Sequence, residues 1–108
     1  MKILIVEDNI ILCNMIEKWL QKNGYVVLTA IDEPGARSIL KKNEISLVLG
    51  DVRLPVGDGI SLLEWMVKNG MEVPYIVMTD YACFPDAVRA VKLGAKDYLP
   101  DRKSTRLN

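Results

Sequence analysis

Two hydrophobic rhythms alternate along this chain: short apolar runs rich in β-branched residues, and longer stretches in which apolar residues return every three or four positions. The first is the pattern of a strand buried on both faces, the second that of an amphipathic helix. Strands are predicted at Ile3 to Val6, Tyr25 to Thr29, Leu47 to Leu49 and Tyr75 to Met78. A first helix follows Asn9, aligns Leu12, Ile16, Trp19 and Leu20 on one stripe, and stops at Asn23-Gly24, a left-handed C-terminal signal. A second opens at Asp32 with Pro34 in its first turn and is expected to bury Ala36, Ile39 and Leu40. A third runs from Ile60 through Leu63, Met66 and Val67 to Gly70, and a fourth from near Pro85-Asp86 through Val88 and Val91 to Gly94.

A fifth strand, Lys96 to Leu99, completes strict β-α alternation. That order predicts an α/β fold: a doubly wound, five-stranded parallel sheet with helices on both faces. The rhythm ends at Pro100. Residues 101–108, Asp-Arg-Lys-Ser-Thr-Arg-Leu-Asn, are polar and carry no apolar stripe, so a fifth helix is expected to be missing. Its loss would expose apolar surface beside the first helix, leave strand five a weakly protected edge and favour a homodimer. The tail reads as truncated or altered, set apart from one domain over residues 1–100.

Composition narrows the function classes. At 108 residues the chain fits one domain with one core. Fourteen basic residues balance fourteen acidic ones, so no net field draws in a phosphate backbone and direct nucleic-acid binding is not expected. Cys13 and Cys83 are far apart and lack a CxxC spacing, which suits idle or buried thiols in a reducing cytoplasm. The N-terminal apolar run meets Glu7-Asp8 at once, too soon for a signal peptide or a membrane span.

Open parallel sheets bind ligands at the carboxyl ends of their strands. There this chain places Glu7-Asp8 after strand one, Asp51 after strand three, Thr79 after strand four and Asp101 after strand five. Any one of these acids could be a solvated loop residue or a helix cap. Acids converging from separate strands repel one another unless a cation neutralises them, and hard oxygen ligands suit Mg²⁺. Because Mg²⁺ commonly bridges a few carboxylates to a phosphate, the cluster points to phosphoryl transfer, with Asp51 on the central strand as the nucleophile. Thr79 is placed to hydrogen-bond a phosphoryl oxygen.

Several separated motifs then resemble one family. They are Glu7-Asp8 after Ile-Leu-Ile-Val, Asp51-Val52-Arg53-Leu54-Pro55-Val56-Gly57-Asp58-Gly59, Val77-Met78-Thr79 and Gly94-Ala95-Lys96-Asp97-Tyr98-Leu99-Pro100. In order and spacing they are similar to the receiver domains of two-component response regulators, over residues 1–100, including receivers of NtrC-type transcriptional activators. The resemblance implies a flavodoxin-like strand order 2-1-3-4-5. It implies Asp51 as phosphoacceptor from a histidine kinase or phosphotransfer protein, and Mg²⁺ held by Glu7, Asp8, Asp51 and the backbone carbonyl of Arg53. It also implies Thr79 as a switch hydroxyl and Tyr98 as a switch aromatic, with transcription as the regulated output of another domain. Such a domain is a signalling device, not a conventional enzyme, although it catalyses its own phosphotransfer and dephosphorylation. Pro55, Gly57 and Gly59 are expected to shape the turn after strand three. Tyr98 could equally be simple strand packing.

One departure bears on competence. The family usually continues with Lys-Pro after strand five, whereas here Leu99-Pro100 is followed by Asp101-Arg102. A carboxylate beside a phosphoryl group repels it, and the missing cation cannot balance transition-state charge. Arg102 or Lys103 could substitute if the loop slips. The main alternative is therefore a degenerate or truncated receiver that serves as a phosphorylation-independent interaction module. A flavodoxin-like electron carrier is disfavoured because Glu7-Asp8-Asn9 would repel a bound phosphate. A haloacid-dehalogenase-type phosphatase is disfavoured because Arg53 stands where a second aspartate is typical.

Overall fold

The computed structural model describes residues 1–79 and the strand at 97–100, the side chains of Thr79 and 97–100 excepted. Its elements run β1 (Lys2–Val6), α1 (Ile10–Lys22), β2 (Val26–Ala30), α2 (Glu33–Lys42), β3 (Leu47–Asp51), α3 (Gly59–Lys68), β4 (Tyr75–Thr79) and β5 (Asp97–Pro100). The predicted fourth helix, the question of a fifth, Cys83, and Asp101 with its tail lie outside the described residues.

All five strands are parallel, in the order β2-β1-β3-β4-β5 that the resemblance implied. The chain leaves β1 to form β2 on one side and returns to form β3 on the other, so the switch point lies between β1 and β3. Val6 pairs with Gly50 in that register, which sets Glu7 and Asp51 side by side as the next positions.

β1 is buried on both faces because alternate side chains serve two cores. Leu4 and Val6 join Ala36, Leu40, Leu62 and Met66 under α2 and α3, while Ile3 and Ile5 join Cys13 and Leu20 under α1. Each helix starts where a side-chain oxygen satisfies an orphan N–H. Asn9 accepts from Leu12 at 3.0 Å, Asp32 from Gly35 at 2.8 Å and Asp58 from Ser61 at 2.7 Å. α1 ends as the sequence predicts, with Gly24 at φ +90°.

Two side chains depart from the predicted stripes. Trp19 is 63% exposed, because Leu12, Ile16 and Leu20 make the inward ridge and Trp19 continues the next ridge, with Ile11 and Met15. Val67 is likewise exposed, one residue beyond the buried Met66 and so rotated outward. β2 begins one residue later than predicted, since the Tyr25 N–H is held by the Leu20 carbonyl at 3.1 Å in the turn. No helix among the described residues is long and apolar enough to cross a membrane.

Candidate functional site

Glu7 leaves β1 with its backbone N–H bound to the Ala30 carbonyl at 2.9 Å, which ties it to the end of β2. Its carboxylate Oε2 accepts the Asn9 N–H at 2.9 Å. The capping role at α1 thus belongs to Asn9, and Asp8, exposed between the two, is not the cap. Asp51 is the last residue of β3, and its Oδ1 accepts the Arg53 N–H at 3.3 Å. Glu7 and Asp51 are 1% and 5% exposed, which places two carboxylates almost out of water.

Glu7, Asp8 and Asp51 each offer a carboxylate oxygen, and the three oxygens lie within 4.8 Å of one another. At an effective dielectric near 20, two like charges at that separation repel by about 3 kcal/mol. A divalent cation relieves this, and the donor chemistry suits one kind: oxygen ligands only, no thiolate or imidazole, with the exposed Asp8 on the water side. The residues present therefore fit a hard cation such as Mg²⁺.

The segment after Asp51 is a tight loop. Arg53 and Asp58 form an antiparallel bridge across it, and the Gly59 N–H closes onto the Val52 carbonyl at 2.9 Å. Two glycines allow this path. Gly57 sits at φ +77°, and a Cβ at Gly59 would lie 2.2 Å from the Asp51 carbonyl oxygen.

Beneath the site lies a buried tyrosine that the sequence pattern treats as ordinary core. The Tyr75 hydroxyl donates to the Gly59 carbonyl at 3.1 Å. Burial pushes its pKa well above the usual phenol range, and the carboxylates of Glu33, Asp51 and Asp58 push the same way. Burial likewise raises the Cys13 thiol, with Glu17 and then Glu7 adding to it, so Cys13 is a protonated core side chain at neutral pH. Sequence reasoning also passed over Glu33, which is 5% exposed in the first turn of α2. An acid at that position is an ordinary partner of the helix dipole, so nothing local marks it as buried.

Of the remaining predicted site residues, Thr79 ends β4 one position beyond Met78, the register partner of Asp51. Tyr98 pairs with Val77 in β5. Thr79 thus ends its strand one position beyond the level of Asp51, and Tyr98 lies level with Gly50 two strands away, while the side chains of both lie outside the described residues.

A doubly wound parallel sheet with an acidic group at its switch point defines a class of domain, and comparison with known proteins specifies it. The family model described as "Response regulator receiver domain" matches residues 3–106. The chain is 32% identical over 100 residues to the transcriptional regulatory protein TctD of Salmonella typhimurium, covering 93% of this chain and 45% of TctD. It is 36% identical over 97 residues to the transcriptional regulatory protein ZraR of Escherichia coli, covering 90% of this chain and 22% of ZraR. The receiver domain of NtrX from Brucella abortus superposes with a TM-score of 0.85 at 27% identity, over 91% of this chain and 83% of that one. The chain belongs to the response regulator receiver family. It spans less than half the length of these two transcriptional regulators.

Proposed function

We propose that the chain is a magnesium-dependent phosphoryl-accepting switch, with Asp51 as acceptor and a histidine kinase or phosphotransfer protein as donor. One observation carries the reading: the oxygens of Glu7, Asp8 and Asp51 converge within 4.8 Å at the switch point of a receiver fold. In the transfer, an Asp51 oxygen attacks the phosphorus of a phosphohistidine. A P–O bond forms, and the P–N bond breaks with its electron pair returning to the imidazole, which gains a proton. The Arg53 N–H, donated to Asp51 Oδ1, helps hold the attacking carboxylate in place. Glu7, Asp8, Asp51 and the Arg53 carbonyl would hold Mg²⁺, which supplies the positive charge that an acidic site needs to receive a phosphoryl group.

Thr79 and Tyr98 serve in this reading as the hydroxyl and aromatic that convert the new charge into a second conformation of the β4–β5 side. The output is transcription, carried by another domain, a reading supported by relatives that are named as transcriptional regulatory proteins and are more than twice as long as this chain. The place of action is the cytoplasm, where a free thiol such as Cys13 stays reduced. Nothing beyond its own phosphotransfer and dephosphorylation is assigned to the domain as catalysis.

The test is incubation with acetyl phosphate and Mg²⁺ followed by intact mass, for the wild type and Asp51→Asn. A phosphate-sized gain in the wild type alone, abolished by EDTA, is expected. Absence of any gain in folded wild-type protein favours the second reading, a phosphorylation-independent interaction module. Asp101, standing where the family usually has lysine, is the observation behind that second reading.

A further inference from the structure

We propose that Glu33 is a positioning residue for the metal site: its buried carboxylate fixes the loop between Asp51 and α3 so that the Arg53 carbonyl is presented to the cation. The inference rests on the magnesium reading above and extends it to a residue outside the acidic cluster.

Glu33 touches this loop three times. Its backbone N–H donates to the Val56 carbonyl at 3.1 Å, and its Oε1 accepts the Asp58 N–H at 3.1 Å. Between those contacts it occupies the volume that a side chain at Gly57 would need, since a Cβ there would lie 2.3 Å from Oε1 and 2.5 Å from the Glu33 Cβ. Gly57 and Glu33 are therefore complementary, and the glycine admits the carboxylate to the loop. A carboxylate this far from water requires partners for its charge. The second oxygen, Oε2, is bound by the Arg37 guanidinium one turn along α2. That guanidinium lies over the Trp65 ring of α3 at 5.1 Å, so the carboxylate is anchored to both helices flanking the loop.

From Glu33 a short path leads into the site. Asp58, whose N–H it accepts, is the bridge partner of Arg53. Arg53 in turn donates its N–H to Asp51 Oδ1. One hydrogen bond from α2 thus fixes the far strand of the small bridge whose near strand carries the expected carbonyl ligand. Groups that orient a ligand in this way commonly affect metal affinity as well as stability.

The test is calorimetric Mg²⁺ titration of the full chain for wild type, Glu33→Gln, Glu33→Asp and Glu33→Ala, with thermal melting of each. Gln keeps an oxygen at the Asp58 N–H. Asp keeps the charge but is one methylene too short, so it tests reach even where the alanine variant does not fold. Glu33→Ala and Glu33→Asp are expected to weaken Mg²⁺ binding by about tenfold or more, the range seen when a ligand loses its support. Glu33→Gln should stay close to wild type even if its melting point falls. Wild-type affinity in the Asp variant, or equal loss in Gln and Asp, overturns the positioning role. A wild type that binds no Mg²⁺ overturns the site reading itself and the inference with it, whereas a binding wild type with unaffected variants overturns only the inference.

Discussion

The Tyr75 ring lies directly against Gly50, so that a Cβ at Gly50 would come within 2.2 Å of the phenolic oxygen and 2.8 Å of the ring carbon that bears it. This contact crosses two neighbouring strands one residue before Asp51, and it explains a glycine in the middle of a central strand, where glycine is otherwise a weak choice.

Gly50→Ala is therefore expected to destabilise the domain by about 1–3 kcal/mol, the usual range for forcing extra volume into a packed core. Because the worst overlap is with the hydroxyl oxygen, Tyr75→Phe should relieve part of it. Urea unfolding of the two single variants and the double variant measures the coupling. A double variant whose loss equals the sum of the singles would show that the two residues do not share the space.

The same tyrosine makes stability fall at alkaline pH. Its pKa is raised in the folded state, by burial first and then by Glu33, Asp51 and Asp58. A group that holds its proton more tightly when folded stabilises fully below its unfolded pKa and loses that contribution as pH rises. For a phenol the loss begins near pH 10. Denaturant stability between roughly pH 10 and 12 should therefore drop more steeply in the wild type than in Tyr75→Phe. At neutral pH the variant should lose about 1 kcal/mol, the worth of the hydrogen bond to Gly59. Parallel pH profiles for the two proteins would refute the assignment.

Much of this fold is legible in the sequence, because strands buried on both faces must be apolar throughout and helices must announce their ends. Ile3 to Val6, Asn9 and Asp32 are of that kind, and the structure uses them as the pattern predicts, whereas the cap of α3 at Asp58 emerges only in the structure. The acidic positions Glu7, Asp8 and Asp51 were also readable, since strand ends on one sheet edge must converge. Trp19 was not, because apolar periodicity locates a stripe but not which of two adjacent ridges turns inward. Glu33 and Tyr75 were not either. Their significance lies in a glycine facing each of them, Gly57 and Gly50, and that complementarity exists only across chain-distant contacts.

Metal-free protein should gain stability when one acid of the cluster is neutralised. Pairwise repulsion of about 3 kcal/mol, discounted for water around the exposed Asp8, leaves Asp51→Asn more stable than wild type in EDTA by on the order of 1 kcal/mol. Added Mg²⁺ should reverse the order. At ten times its dissociation constant a ligand stabilises by about 1.4 kcal/mol, and Asp51→Asn, with one anionic ligand fewer, should gain less at the same concentration. Thermal melts with EDTA and with graded Mg²⁺ read both effects, and identical Mg²⁺ shifts in the two proteins would exclude the cluster as the binding site.

Asp101→Lys tests whether the acid that stands where the family usually has lysine limits the chemistry. A carboxylate beside an incoming phosphoryl group repels it, whereas a cation neutralises charge building up in transfer. Losing one well-placed stabilising group commonly costs a hundredfold or more in rate, so regaining one should speed Mg²⁺-dependent labelling of Asp51 by acetyl phosphate by at least about tenfold. The rate is followed by intact mass over time, with Asp101→Asn alongside to separate removal of the anion from gain of the cation. A rate that rises stepwise from Asp to Asn to Lys assigns both parts. An unchanged rate across all three would mean that the cation at this site comes from elsewhere, with Arg102 and Lys103 the next residues to replace.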